Sequence, residues 1–289
     1  MRSIILTGVT GFIGSHLVRE LTNHYHVRCL VRASSYREHR SIVEYIDIDF
    51  TNPSFERSLF VDVFAVVHLL SIKHSYHPDI WTINVDFTRK LVAASIANKV
   101  EKFVYLSSET VQLPGEDRYT ESKLMAEDQA TKHRNYLILR PTVVYGEHDR
   151  SNLGLLIKLI KYLPIVPIIG SGTQLMQPIY VNDVVMCITS GLRNDISGIH
   201  LIAGQRALQY IEIVKIISKA LGKNRVILRI PIVIGYGLAR LFEIAKLPLL
   251  QKSQVDNLKI NKEYSVNRTE NIFCISFSDP RKEISRIAK

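Results

Sequence analysis

Tyr119 and Lys123 stand four residues apart in Tyr119-Thr120-Glu121-Ser122-Lys123, a spacing that puts both side chains on one face of a helix. An ammonium beside a phenol favours phenolate, so the pair can exchange a proton near neutral pH. Ser108 closes the apolar run KFVYLSS, where a hydroxyl at the carboxyl edge of a sheet can hold a substrate oxygen. A second group opens the chain: Gly8, Gly11 and Gly14 in TGVTGFIG, with Thr10, Phe12 and Ile13 between them. These glycines allow a tight turn, a close backbone approach to a pyrophosphate and close packing of the next helix, whose first N–H groups face the phosphates. About twenty residues on, an acid would suit the ribose hydroxyls of NAD. Arg32 stands there instead, with Ser34, Ser35 and Arg37 close behind. A guanidinium pairs with phosphate through a planar fork, so NADP is preferred, with NAD as the other dinucleotide considered.

Such groups need a scaffold, and the pattern supplies one. From Met1 to about Tyr145, the runs SIILTG, HVRCLVR, EYIDIDF, FAVVHLL, KFVYLSS and NYLILRPTVVY alternate with segments of helical period. That alternation implies βαβ units and an α/β fold, a Rossmann-type doubly wound parallel sheet. Residues 1–146 read as the dinucleotide-binding domain, its sheet completed by a segment within about 175–205. Residues 147–289 read mainly as a smaller α+β substrate lobe. Helices are expected over Asn152 to Tyr162, Val181 to Leu192 and Tyr210 to Leu221, while the charged tail after Asn257 has little period.

Composition narrows the classes. The 37 Lys and Arg against 27 Asp and Glu, a formal charge of +10, are spread along the chain. That favours an anionic small ligand over nucleic acid, which would need a clustered basic face. Cys29, Cys187 and Cys274 form neither a CxxC pair nor a metal set, consistent with thiols in a reducing cytoplasm. His68, His74 and His77 lack metal-ligand spacing. The apolar stretch from Ile227 to Leu250 is broken by Arg229, Arg240, Glu243 and Lys246, so no membrane span is expected.

TGVTGFIGSHL, DIDFTNPSF, INVDFTRKLVAAS, VYLSS, YTESK, LRPTVVYG and QPIYVNDVV, in that order, resemble the extended short-chain dehydrogenase family, the NAD-dependent epimerase/dehydratase group that modifies nucleotide sugars and serves polysaccharide biosynthesis. The resemblance implies that Ser108, Tyr119 and Lys123 form the catalytic set. It places Asp49 and Phe50 near adenine, Leu69 to Ser71 (Leu69 and Ser71 in contact) and Asn84 at the cofactor or its support, and Pro141 to Tyr145 beside the nicotinamide, Pro141 and Val143 touching it. Tyr145, Gln177 and Tyr180, with Ser108, are implied to meet the sugar, and a homodimer through the helices after INVDF and YTESK is implied as well. Dehydratases of the group carry an Asp-Glu pair after the catalytic hydroxyl. Here Ser108-Glu109-Thr110 keeps one carboxylate, which counts against dehydration. The leading expectation is an NADP-dependent 4-ketoreductase of a nucleotide-linked hexose. A 4-epimerase with retained NAD is the alternative within the family, and a non-catalytic NADP-binding scaffold is the alternative outside enzymes.

Overall fold

The computed structural model describes residues 1–33, 43–114, 117–244 and 252–289. Six strands coincide with the six apolar runs, two of them starting one residue earlier than expected, at Val43 and Val63: β1 (Ser3–Thr7), β2 (His26–Val31), β3 (Val43–Asp47), β4 (Val63–His68), β5 (Lys102–Leu106) and β6 (Tyr136–Pro141). The strand Gly198–Ile202 pairs with β6 and completes a seven-stranded sheet, every pairing parallel. Its order is Gly198–Ile202, β6, β5, β4, β1, β2, β3. β1 and β5 are buried throughout because helices cover both faces, which is why these runs are apolar instead of alternating.

The helices α1 (Phe12–Leu21), α2 (Phe87–Ala97) and α3 (Arg118–Ala130) link strands of the sheet. From β1 the chain winds outward to β2 and β3, then crosses back to β4 on the other side of β1. A crevice opens at such a reversal, outside the carboxyl ends of the two central strands. Thr7 and His68 mark those ends. The Thr7 hydroxyl sits 2.6 Å from His68 Nδ1 and accepts from the N–H groups of Leu69 and Leu70, both at 3.2 Å. On its other side, His68 Nε2 lies 2.8 Å from the Thr88 hydroxyl of α2. Burial pushes the His68 pKa down to about 3, so the ring is a neutral strut between sheet and helix.

The expected helix over Asn152 to Tyr162 is α4 (Asn152–Tyr162). The other two expected helices are α5 (Val181–Arg193) and α6 (Tyr210–Ala220). Two elements lie in the stretch judged above only as a membrane span. Val226–Ile230 pairs in parallel with Ile165–Ile169, and α7 (Ile232–Ile244) follows it. The tail also folds, as the helices Asn267–Phe273 and Pro280–Ala288. Asp183, in the first turn of α5, does more than favour a helix N-terminus: fully buried, it accepts from the Ser278 N–H at 2.9 Å and the Ser278 hydroxyl at 2.8 Å, fixing the tail. Arg286 reaches Glu147 at 2.7 Å. Among the described residues no helix is long and apolar enough to cross a membrane.

Candidate active site

Gly8 holds φ +75, a left-handed turn that a side chain resists. A Cβ there would meet Leu69 C and Leu70 N at 2.9 Å, and a Cβ on Gly14 would stand 2.1 Å from Gly8 O. The turn therefore packs backbone on backbone between β1, the β4 end and α1. A Cβ on Gly11 would meet only Gly8 O, at 3.1 Å, which leaves the chain bare where the turn borders the cavity. Backbone left open at the start of a helix is what a pyrophosphate requires, and the residues present fit a dinucleotide.

A cavity of about 1200 Å³ runs from this turn past Leu69, Ser71, Ser108, Tyr119 and Lys123 to Pro141 and Val143. Thr10, Phe12 and Ile13 line it too. A second cavity, of about 370 Å³, shares Gly8, Thr10 and Ser71 and is walled by Arg32, Asp49 and Phe50. The two together bring the cofactor residues expected from the sequence to one crevice, apart from Asn84. Asn84 lies beneath it: its Oδ1 accepts from Ile72 N at 2.7 Å, and its Nδ2 donates to Ile72 O and the Ser122 hydroxyl, both at 2.9 Å. It ties the loop after β4 to α3 beside Lys123. Asp49 accepts from the hydroxyl and N–H of Thr51 at 2.7 and 2.9 Å, bonds that hold its carboxyl below the usual range. Arg32 is exposed at the end of β2, and Ser34, Ser35 and Arg37 lie outside the described residues.

α3 places Tyr119 and Lys123 on one side, as their spacing predicts. Asp117 caps this helix, accepting from Thr120 N at 3.4 Å, and also takes a short hydrogen bond from Ser75. Ser108 leaves β5 in an extended conformation and caps a following turn, accepting from Thr110 N at 3.3 Å; its side chain also bonds the Tyr119 hydroxyl. The expected electrostatics differ. Burial pushes the Tyr119 phenol up to about 12, with Asp117 adding to the rise and the Ser108 hydrogen bond opposing it. Burial also draws Lys123 down to about 7, helped by Lys73 and opposed by Glu127. The Lys123 amine donates to Leu106 O at 2.7 Å and lies 4.8 Å from the Tyr105 ring centre. Desolvation outweighs the mutual effect of the pair: lysine does not bring the phenol to neutrality here, and its own charge titrates instead.

Tyr145, Gln177 and Tyr180 stand away from the cavity wall. Tyr145 is buried with its ring 5.8 Å from that of Tyr180. Tyr180 donates to Glu147 at 2.7 Å and accepts from Arg286 at 2.7 Å. Gln177 donates to Gly204 O and Tyr264 O and accepts from Tyr264 N. The polar groups of Gln177 and Tyr180 tie the C-terminal segment down, a demand that local sequence did not reveal.

The substrate end of the cavity has a residue the sequence reading missed. Lys262 donates to Glu109 at 2.9 Å, with the carboxylate side chain 3% exposed and the lysine 10%. The two are 153 positions apart, so no motif pairs them. Removing one partner strands a buried charge: Lys262→Met should lower stability by about 3 kcal/mol, read as a drop in the urea midpoint. Adding Glu109→Gln should restore most of it.

Residues 4–203 match the family described as the NAD dependent epimerase/dehydratase family. The chain is 30% identical over 201 residues to the UDP-glucose 4-epimerase of Vibrio cholerae, a match that covers 60% of this chain and 61% of that protein. It is 25% identical over 292 residues to the N-acetyl-alpha-D-glucosaminyl-diphospho-ditrans,octacis-undecaprenol 4-epimerase of Escherichia coli O157:H7, covering 90% and 85%. The UDP-glucuronic acid 4-epimerase of Bacillus cereus, solved with UDP-glucuronic acid and NAD, superposes with a TM-score of 0.79 over 99% of this chain and 98% of that one. At 21% identity that likeness fixes the fold.

Proposed function

The chain belongs to the NAD-dependent epimerase/dehydratase family, and on that premise we propose that it is a 4-epimerase of a diphosphate-linked sugar. The observation that carries the reading is the convergence of Ser108, Tyr119 and Lys123 on the cavity that begins at the glycine turn. Gly8 to Gly14 and the start of α1 would hold the pyrophosphate of the dinucleotide, and Asp49 and Phe50 would border its adenosine. A dinucleotide held there would supply reversible hydride transfer at the substrate carbon. In its phenolate form Tyr119 takes the proton of the substrate hydroxyl as the carbon is oxidised, and as phenol it gives that proton back to the carbonyl oxygen on reduction. Ser108 orients that oxygen, and Lys123 charges the floor beneath it. Glu109, committed to Lys262 and followed by Thr110, is poorly placed to supply the extra acid and base of a dehydration.

Two of the relatives above are named as 4-epimerases of diphosphate sugars and the solved one holds NAD, which favours retained NAD over the NADP expected from the sequence. A 4-ketoreductase using NADP takes second place, supported by Arg32 at the second cavity. Extraction of the purified protein is expected to release NAD, and incubation with UDP-N-acetylglucosamine or UDP-glucose to give the C4 epimer by NMR with no net consumption of dinucleotide. Stoichiometric oxidation of NADPH on addition of a 4-keto sugar nucleotide, lost in Arg32→Ala, would replace this reading with the reductase. The homodimer is part of the same proposal, supported by the exposed side chains of Ile96 on α2 and Leu124 and Met125 on α3.

A further inference from the structure

Among the described residues, the second lobe carries an apolar surface that their packing does not use. Register sets Val226 beside Ile165 and Leu228 beside Pro167. All four are exposed, while Val166 and Ile168 on the opposite face are buried. This two-stranded ladder thus offers aliphatic side chains to solvent where a half-buried strand ordinarily turns polar ones. α7 extends the surface. Val233, Ile234 and Leu241 are exposed at spacings that share one side of a helix, Val233 to 76%. α4 joins from the other end with Leu155 and Tyr162, the latter 72% exposed. Arg225 ties the pieces together, donating to Ile160 O and Lys161 O at the end of α4 from the foot of the Val226 strand. Of the seventeen large apolar side chains exposed among the described residues, nine lie in these segments, a concentration unlike the single scatter of an ordinary surface.

The charge around the patch is predominantly of one sign. Residues 152–169 and 222–244 hold six lysines and arginines against one acid, Glu243, and Lys158, Lys161, Lys223, Arg229 and Arg240 are exposed. We propose that this face docks the protein on an anionic lipid bilayer, the aliphatic side chains entering the headgroup layer and the cations meeting lipid phosphates. A second copy of the chain fits less well, because a twofold contact would bring two predominantly cationic rims together. α4 links this face to the site: Leu153 and Leu156 line the cavity while Leu155 and Tyr162 face out. Docking therefore sets α4, one wall of the cavity, on the bilayer; that the sugar's diphosphate is itself lipid-borne is a consequence that rests on the epimerase reading. The docking itself does not.

The test is sedimentation of the full chain with phosphatidylcholine vesicles, with and without phosphatidylglycerol. Binding is expected only with the anionic lipid, weakening at least about tenfold as salt rises from low to physiological strength. Leu228→Glu with Val233→Glu should abolish it while thermal midpoint and dinucleotide binding stay at the parent's values. Absence of parent binding to anionic vesicles overturns the proposal, as does parental binding by the double variant. So does a dimer, seen by light scattering, that the double variant splits. None of these outcomes depends on turnover, so a failed epimerase assay leaves the docking result standing.

Discussion

Phenylalanine at position 119 is expected to lower turnover by about 10²–10⁴-fold with dinucleotide binding intact, the loss typical of a positioned acid–base group. The ring would keep its packing at the start of α3, so the change removes the hydroxyl that bonds Ser108 and little else. The pH dependence separates this role from a structural one. With the phenol pushed up to about 12 by burial and by Asp117, Tyr119 is protonated at neutrality, ready as the acid and reluctant as the base. The oxidative half-reaction, followed as the spectral change of bound dinucleotide in a single turnover, should therefore quicken in the parent as pH rises from about 7 to about 10. In the variant the remaining rate should stay flat. Parental turnover in Tyr119→Phe would move the chemistry to another group or leave the chain as a dinucleotide-binding scaffold.

The first half of the fold was legible because its signals are local. A strand buried on both faces must be apolar along its whole length, so SIILT and FAVVH announce themselves, and the glycine turn is dictated by backbone contacts three and six residues apart. Helices α4, α5 and α6 were readable from their period for the same reason. The Val226 strand and α7 were hidden by an inversion: their exposed positions are aliphatic, so the polar-out alternation that marks a surface element is missing. The tail was illegible for a different reason. Its helices are held by partners such as Asp183 and Glu147, about a hundred positions away or more, and no window of local sequence contains both ends of such a contact.

The site divides along the same line. Tyr119 and Lys123 sit on one helix and the glycines on one turn, so type and spacing located them. Gln177 and Tyr180 lie in a segment whose pattern matches the family, yet their side chains are taken up by Tyr264 and Arg286. Pattern transfers position more readily than it transfers contact. Lys262 shows the converse, reaching Glu109 across the chain with no motif to mark it. The protonation of the pair was misjudged because charge partners can be named from sequence, whereas the desolvation that dominates both shifts depends on burial.

Lys123 gives that desolvation a measurable form. Its folded-state pKa, drawn from 10.5 to about 7, lies below the unfolded value, so between those limits the unfolded chain binds more protons than the native one. Stability then rises with pH across the interval and is flat below it. Charging the buried amine costs about 5 kcal/mol in full, a cost present below pH 7 and gone above 10.5. Methionine at 123 removes it. Losing the hydrogen bond to Leu106 O costs the variant a fixed amount at every pH, so the prediction concerns the slope: in dinucleotide-free protein, Lys123→Met should gain on its parent by several kcal/mol as pH falls from 10 to 7, measured by urea unfolding. Parallel pH profiles would show that Lys123 is solvated as an ordinary ammonium. A lysine that weakens the fold at working pH, set 2.7 Å from a strand-end carbonyl and one helical turn from Tyr119, is a residue kept for what it does to the cavity, and the same variant should lose turnover even where it gains stability.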